Sequence, residues 1–478
     1  MEQQDFSAMH TEMRRFFATG ATLDAAFRKA KLRGLAAAIR RREGDIMAAL
    51  HDDLAKPPCE AYITEIVETL DAAEYYAARA AAFSRPRRVW PGRTILPAFC
   101  KVYPEPFGLA LVLSPWNYPF QLSLIPLICA VAAGNCVVLK PSRESPATGR
   151  ILQQLVEECF DSGHCRVVLD APGAPGAAPE QTATALLSEA WDFIFYTGSP
   201  RVGHIIMESA ARHLTPVCLE LGGKSPVIVT EDADLAVAAR RIAWGKMLNA
   251  GQTCVAPDYL LADAAILEEL VERIREEFAR QLGPDPIHSP DYGRIVSHAA
   301  FDRLCGLAER CGVGLIADRE LLKIAPVIFR TDFASPALED EIFGPLLPAI
   351  PYDCLDAALA YIRANPKPLA CYLFTRNKGI EKRVLRELSF GGGCINDVAL
   401  QASSSRLPFG GVGKSGMGRY HGCAGFDLFS NLKSVVHQWP TLDLPLRYPP
   451  YGKGRLRWLR RLLGDWSRRS PPGRGGWR

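Results

Sequence analysis

Gly108-Leu-Ala-Leu-Val-Leu113 is a continuous apolar run that ends abruptly at Ser114-Pro-Trp-Asn-Tyr-Pro119. A strand covered on both faces reads this way, because neither face can carry alternating polar side chains. The succession of elements downstream of it decides the fold. A helical stretch over Leu122–Ala133 leads to a second apolar run, Cys136-Val-Val-Leu139, then to Lys140-Pro-Ser-Arg143 and a helix over about 145–160. Arg166-Val-Val-Leu169 and Asp192-Phe-Ile-Phe-Tyr196 are further short strands, and Thr197-Gly-Ser-Pro-Arg-Val-Gly203 opens another helix. Buried strands alternating with helices predict a parallel, doubly wound α/β sheet. The Ala/Pro/Gly stretch Ala171–Pro179 has nothing to pack and reads as a surface loop.

Upstream, residues 22–50 carry Leu23, Phe27, Leu35, Ile39 and Ile46 at roughly helical spacing. Residues 60–83 read as a second helix, stopped by Arg85-Pro-Arg-Arg88, and 94–106 as extended chain. Downstream of Leu221 the alternation restarts. Strands are expected at Val227–Thr230, Tyr259–Leu261, 325–329, Leu369–Thr375 and Gly393–Asn396, and helices at Asp232–Asn249, 265–281, 354–363 and 377–388. Asp232 stands where a helix cap belongs. This is a second α/β domain, followed from Asp397 by loop-rich chain.

The 478 residues can bury more than one core. Hydrophobic content of 48% and charged content of 23% are those of a soluble globular protein. Met1-Glu-Gln-Gln-Asp5 has no basic or apolar leader character, so no signal peptide is expected. Fourteen cysteines scattered without a leader suit free thiols in a reducing, cytoplasmic setting. Without a C-x-x-C pair or H-E-x-x-H, no metal site is expected, and nothing points to nucleic acid. The net charge of +4 is uneven: residues 447–478 hold ten Lys/Arg and one Asp, leaving a mildly acidic body. In that tail Leu456, Leu459, Leu463 and Trp466 fall on one helical face among Arg455, Arg457, Arg460, Arg461, Arg468 and Arg469. This pattern suits peripheral contact with an anionic membrane, or folding back on the protein.

The chemistry centres on Asn249-Ala-Gly-Gln-Thr-Cys254-Val-Ala-Pro257, where Gly251 and Pro257 place Cys254 on a turn between a helix and a strand. A thiolate there can act as nucleophile, although most free cysteines are simply buried. Glu220 lies between Leu219 and Leu221, where a carboxylate is either paired or used. Asn117 either caps a turn or aims its amide at developing negative charge. The turn Thr197–Gly203, at a strand end and a helix start, could hold a phosphate, although any such loop needs glycine. Gly411-Val-Gly-Lys-Ser-Gly416 matches G-x-G-x-x-G, but too little chain lies beyond it to build the βαβ unit that motif requires. A cysteine, an amide donor, a carboxylate and a dinucleotide turn together suit oxidation of an aldehyde through a thioester.

Seven motifs, in order, resemble the NAD(P)-dependent aldehyde dehydrogenases. They are Pro115-Trp-Asn-Tyr-Pro119, Val138-Leu-Lys-Pro-Ser142, Tyr196-Thr-Gly-Ser199, Leu219-Glu-Leu-Gly-Gly-Lys-Ser-Pro226, Gly251-Gln-Thr-Cys254, Glu341-Ile-Phe-Gly-Pro345 and Leu407-Pro-Phe-Gly-Gly-Val-Gly413. The resemblance runs from about Leu23 to Tyr451. Ser289-Pro-Asp-Tyr-Gly-Arg294 and Ser415-Gly-Met-Gly-Arg-Tyr-His-Gly422 are similar to the class 3 branch, which takes medium and long aliphatic and aromatic aldehydes. The resemblance implies Cys254 as nucleophile, Asn117 with the Cys254 N–H as oxyanion hole, and Glu220 as the base that activates the hydrolytic water. It places Trp116, Lys140, Arg143, Thr197, Gly198, Ser199, Gly203, Glu341 and Phe343 around the cofactor, with Lys140 on the adenosine ribose, Glu341 on the nicotinamide ribose and Phe343 beside the nicotinamide. Members usually carry glutamate where this chain has Arg143. That glutamate repels a 2′-phosphate and Arg143 would attract one, so NADP is expected at least as readily as NAD.

The implied fold has a Rossmann-like cofactor domain (1–83 and 105–221), a catalytic domain (222–396), and a β arm that makes homodimers, with active-site loops (84–104 and 397–446), ahead of the basic tail (447–478). Two rival readings are a cysteine esterase on the same fold, using Cys254 and Glu220, and a non-catalytic scaffold held to a membrane by its tail.

Overall fold

The computed structural model describes residues 6–170 and 181–464. The expected surface loop at 171–179 and the tail residues Trp466, Arg468 and Arg469 lie outside the described residues. The chain divides into two compact units, one holding the residues up to Phe83 with Pro106–Ser430, the other Ser84–Glu105 with the chain from Asn431.

The larger unit is built on two six-stranded sheets. Across the first, the strands run Gly416–Met417, Val217–Leu221, Phe193–Gly198, Leu109–Leu113, Cys136–Lys140 and Cys165–Val167. All are parallel except the short edge strand Gly416–Met417. Leu109–Leu113 is buried along its whole length, as its unbroken apolar run requires. From this central strand the chain goes first to Cys136–Lys140 on one side and later to Phe193–Gly198 on the other. That reversal is a topological switch point, and the crevice at the carboxyl ends of such strands is where ligands bind. The turns carrying Trp116-Asn117 and Thr197-Gly198-Ser199 leave the sheet there. The helix Gln121–Ala133 is buried on every residue, which explains its lack of a polar face. Asn135 secures its end, donating to Ala130 O (3.1 Å) and Phe429 O (2.9 Å) and accepting from Gly108 N (2.9 Å).

The second sheet is wholly parallel, in the order Val327–Arg330, Leu346–Tyr352, Tyr259–Asp263, Pro226–Val229, Ala370–Phe374 and Gly392–Ile395. Leu346–Tyr352 is not among the expected strands, and it carries Pro348 and Pro351, which lack the donor an interior strand needs. The structure accommodates both by stagger. Ladder bonds run to Val327–Arg330 over 346–349 and to Tyr259–Asp263 over 349–352. Odd residues face the first neighbour and even residues the second, as Thr331 N to Ala349 O and Ala264 N to Tyr352 O show. Pro348 therefore turns its missing donor to a neighbour whose ladder has not begun, and Pro351 to one whose ladder has ended.

The helical expectations need three corrections. The single helix at 22–50 is two, Ala25–Arg41 and Glu43–Leu54, because Arg42 leaves the helical region (φ −102°, ψ 17°). Within 60–83 a π-helical turn occupies Tyr62–Val67. The cap of Leu235–Met247 is Asp234, accepting from Val237 N at 3.2 Å. Asp232 instead accepts from Thr375 Oγ1 and Arg376 N, both at 2.9 Å. A further helix, Phe6–Ala18, precedes them all.

Residues 397–430 lie with the larger unit. The smaller has a three-stranded sheet in the order Arg87–Val89, Phe99–Pro106, Ser430–His437, with Val89, Trp90, Phe99, Val436 and Trp439 exposed. Its last described helix, Arg455–Leu463, exposes Leu456 and Trp458. Among the described residues no helix is long and apolar enough to cross a membrane.

Candidate active site

Cys254 comes after three residues in the left-handed region, Asn249 (φ 50°), Ala250 (φ 53°) and Gly251 (φ 76°), which reverse the chain within one turn of leaving the helix Leu235–Met247. Only glycine fits at 251. Besides its φ, a Cβ there would collide with the Gly344 carbonyl oxygen. The motifs Gly251–Cys254 and Glu341–Pro345 thus touch backbone to backbone. The loop is then tied on several sides. Gln252 Nε2 donates to Asn249 O and Arg294 O (both 2.9 Å), its Oε1 accepts from Val296 N (3.0 Å), Tyr118 and Thr253 share a hydroxyl hydrogen bond (2.7 Å), and Tyr372 donates to Val255 O (2.5 Å). Cys254 itself remains partly accessible on this fixed support.

Asn117, buried at the carboxyl end of the central strand, donates through Nδ2 to Gln252 O at 3.1 Å, which joins it to the cysteine loop and leaves the second amide hydrogen free for another acceptor. Glu220 stands one residue before the end of Val217–Leu221, in register with Thr197 on the neighbouring strand. It is 1% exposed, and both its carboxyl oxygens lack a partner of ordinary hydrogen-bond geometry. It faces Cys254 closely enough for each to perturb the other.

Burial pushes the Glu220 carboxyl up to about 8. Burial, with the Glu220 and Glu341 carboxyls nearby, holds the Cys254 thiol well above the usual cysteine range. The resting pair is therefore a thiol beside a carboxylic acid, and removing a proton from either is disfavoured while the other is charged. Glu341 is half-buried, and it too is raised, by burial and then by Asp258. Its carboxyl lies against Gly222, where any Cβ would collide with it, and its Oε1 has no partner.

The remaining expected cofactor residues fall into two groups. Trp116 and Phe343 meet edge to face, ring centroids 5.4 Å apart. Thr197 keeps a buried, unpartnered Oγ1, while Ser199 spends its hydroxyl capping the helix Pro200–Ala211, accepting from Val202 N at 3.4 Å. Gly203 packs on Leu221 in that helix's first turn. A cavity of about 700 Å³ includes Gly203, Gly222 and Glu341 in its wall. Lys140 and Arg143 do not line that cavity. Lys140 donates to Asp170 Oδ2 at 2.5 Å, and the half-exposed Arg143 pairs with Glu144 at 3.2 Å.

The aldehyde dehydrogenase family profile matches residues 1–435 of this sequence. The chain belongs to the aldehyde dehydrogenase family. Aldehyde dehydrogenase family 3 member H1 of Arabidopsis thaliana is 43% identical over 465 residues, covering 96% of this chain and 94% of that protein. Family 3 member B1 of Homo sapiens is 40% identical over 452 residues, covering 94% and 95%. The 4,4'-diaponeurosporen-aldehyde dehydrogenase of Staphylococcus aureus is 40% identical over 450 residues, covering 93% and 96%. The solved substrate-bound state of Staphylococcus aureus AldH superposes with a TM-score of 0.91 at 38% identity, covering 96% of this chain and all of that one. The aldehyde dehydrogenase described here is an NAD(P)-dependent oxidoreductase that converts aldehydes to carboxylic acids, of the family 3 branch. Its residues fit a nicotinamide dinucleotide: a helix N-terminus at the switch point, a cavity walled by glycines, and buried polar atoms at Thr197 and Glu341 without partners.

The motifs did not reveal what supports the site. Lys56, Glu60 and Glu65 all reach it through hydrogen bonds, yet in sequence each reads as an ordinary polar residue of a helix or loop.

Glu220 generates a pH prediction. Its folded pKa, about 8, exceeds the ordinary carboxyl value of 4.5, so it is neutral below about 8 and ionised above. Steady-state turnover limited by thioester hydrolysis is expected to rise with pH through about 8, and this limb should vanish in Glu220→Gln. Between 4.5 and 8 the folded chain binds the extra proton, so stability from this group falls as pH rises across that window. Glu220→Gln should then melt no lower than wild type at pH 9, with the difference shrinking below pH 5. An unchanged pH–rate profile, or a variant that melts lower at pH 9, would remove the ionisation assigned to Glu220.

Proposed function

We propose that Cys254 is the nucleophile of this aldehyde oxidation, with Asn117 and the Cys254 N–H as oxyanion donors and Glu220 as general base. One observation carries the reading: a buried carboxyl without a hydrogen-bond partner faces the thiol on a loop already joined to Asn117. Once Glu220 is ionised, as it is above about 8, Cys254 Sγ adds to the aldehyde carbon and its proton passes to the Glu220 carboxylate. The resulting alkoxide accepts from Asn117 Nδ2 and the Cys254 amide. When bound, the nicotinamide cofactor supplies the hydride acceptor that makes this adduct a thioester. Glu220 gives that first proton up to solvent, takes one from water as the water oxygen bonds to the thioester carbon, and returns it to the Cys254 sulfur as the C–S bond breaks and the carboxylic acid is released. Trp116, Thr197, Gly198, Ser199, Gly203, Glu341 and Phe343 would hold the cofactor in this reading, with Lys140 and Arg143 at its adenosine end.

In this reading the sheet starting at Leu109 is the cofactor half of the larger unit and the sheet starting at Pro226 the catalytic half. The substrates are medium or long aliphatic, or aromatic, aldehydes, a class supported by similarity to family 3 members and to an enzyme named for 4,4'-diaponeurosporen-aldehyde. The protein is a homodimer through its three-stranded arm, whose strands leave Val89, Phe99 and Val436 exposed. Its fourteen cysteines, none of them in a disulfide, suit the cytoplasm. The helix Arg455–Leu463, with Leu456, Leu459 and Leu463 at i, i+3 and i+7 among four arginines, supports contact with the cytoplasmic face of a membrane.

Three measurements test this. Cys254→Ala should lose oxidation by several orders of magnitude while cofactor binding, followed by protein fluorescence, persists; residual turnover near wild type would end the assignment. For the cofactor, Arg143 turning from Glu144 to a 2′-phosphate would add about 1.5–3 kcal/mol. Relative kcat/KM should thus favour NADP or balance the two in wild type and move toward NAD in Arg143→Glu, whereas strong NAD preference with no shift would overturn the role of Arg143. Finally, the 1–446 chain should sediment as a dimer yet fail to pellet with anionic vesicles that carry down the full chain. Equal pelleting would rule out the tail, and a monomer would rule out the arm.

A further inference from the structure

Lys56 and Glu65 form an ion pair of 2.5 Å with both side chains fully buried. Such a pair is a poor device for stability, because taking two charges out of water offsets most of their attraction, and apolar residues of similar volume commonly do as well. Its remaining hydrogen bonds all lead to the active site. Lys56 Nζ donates to the Asn117 carbonyl (3.3 Å) and sits 4.1 Å from the centre of the Tyr118 ring. Glu65 Oε2 accepts from Phe120 N (2.9 Å) and Gln121 N (3.0 Å), the first donors of the helix just beyond Asn117. Glu60, on the same segment, accepts from Asn249 N (2.8 Å) at the start of the cysteine turn. Asn249 Nδ2 in turn donates to Asn117 O (2.8 Å) and Gln252 O (3.2 Å). The π-helical turn Tyr62–Val67 carries Glu65 into this buried position, and such turns recur at functional sites.

We propose that the buried Lys56–Glu65 pair is a positioning device that fixes the Asn117 amide over the carbonyl of the aldehyde bound at Cys254. The pair touches no reacting atom. It clamps residues 117–121 from behind, while Glu60 and Asn249 bring the cysteine turn to the same anchor. This rests on the reading of Asn117 as an oxyanion donor. A misplacement of about 1 Å in such a group can cost roughly a hundredfold in rate, so the clamp acts on the chemical step and not on cofactor affinity.

The test is the pre-steady-state burst of reduced cofactor in full-length enzyme. The paired variant Lys56→Met with Glu65→Leu removes both charges together and is expected to melt near wild type. Its first-turnover rate should fall roughly tenfold to a hundredfold, with aldehyde KM and cofactor Kd little changed. Glu65→Gln, which keeps size and one oxygen for Phe120 N and Gln121 N, should fall in the same direction and serves if the paired variant does not fold. Asn117→Ala is measured alongside, and adding the paired variant to it should cost no more than about threefold further, since the two act as one unit. A folded paired variant or Glu65→Gln with a wild-type burst would overturn the clamp while leaving Asn117 intact. Full additivity with Asn117→Ala would also overturn it. An Asn117→Ala enzyme with a wild-type burst would instead remove the oxyanion reading on which the clamp depends.

Discussion

Glu220 is a carboxyl group held in the interior with neither oxygen in a hydrogen bond of ordinary geometry, an arrangement that costs free energy. Bulk water would solvate it and a lysine would neutralise it, and either would remove the raised proton affinity that burial gives it. The structure keeps both away by placing it on a strand between covered faces, one residue from the sheet's carboxyl edge. Burial then raises its proton affinity into the range where it can both hold and release a proton near neutrality. Cys254 is raised by the same burial and by the same neighbour. The ionisation of each group is therefore set in part by the other.

Keeping two such groups together needs a support that does not give. Much of it is backbone against backbone. Gly222 admits the Glu341 carboxyl beside the strand end after Glu220, and Gly251 lies on the Gly344 carbonyl, so that the cysteine turn and the loop after Asp340 meet backbone to backbone. Interfaces of this kind cannot be loosened by a rotamer change. The polar part of the support comes from the other direction, through Asn117, Asn249 and Gln252, which hydrogen-bond one another across the junction of the two sheets.

The crevice position is a consequence of topology. Strands on either side of Leu109–Leu113 are reached in opposite directions along the chain, so the loops at their carboxyl ends part and leave room. Trp116, Asn117 and Thr197 all stand at such strand ends, and Glu220 nearly ends the next strand over. A second parallel sheet delivers Cys254 and the 341–345 loop to the same place.

The local chemistry of the chain was enough to determine the two parallel α/β sheets, since strands without polar alternation can only be covered on both sides. It raised Cys254, Glu220 and Asn117 as candidates, each beside a plain structural alternative, whereas Glu341 came from the motif resemblance. Local pattern failed where tertiary context changes what a residue means. Leu346–Tyr352 is interior although it contains two prolines, because the stagger of its neighbours removes the hydrogen bonds that proline cannot make. Lys56 and Glu65 resemble any solvated charges until the chain folds, and only then does burial turn them toward each other and toward Asn117. Arg143 shows the limit from the other side: its charge is plain in the sequence, but its pairing with Glu144 is a feature of the fold. Burial and partner choice are properties of three-dimensional packing, set by residues far away in the chain, and only the tertiary structure decided them.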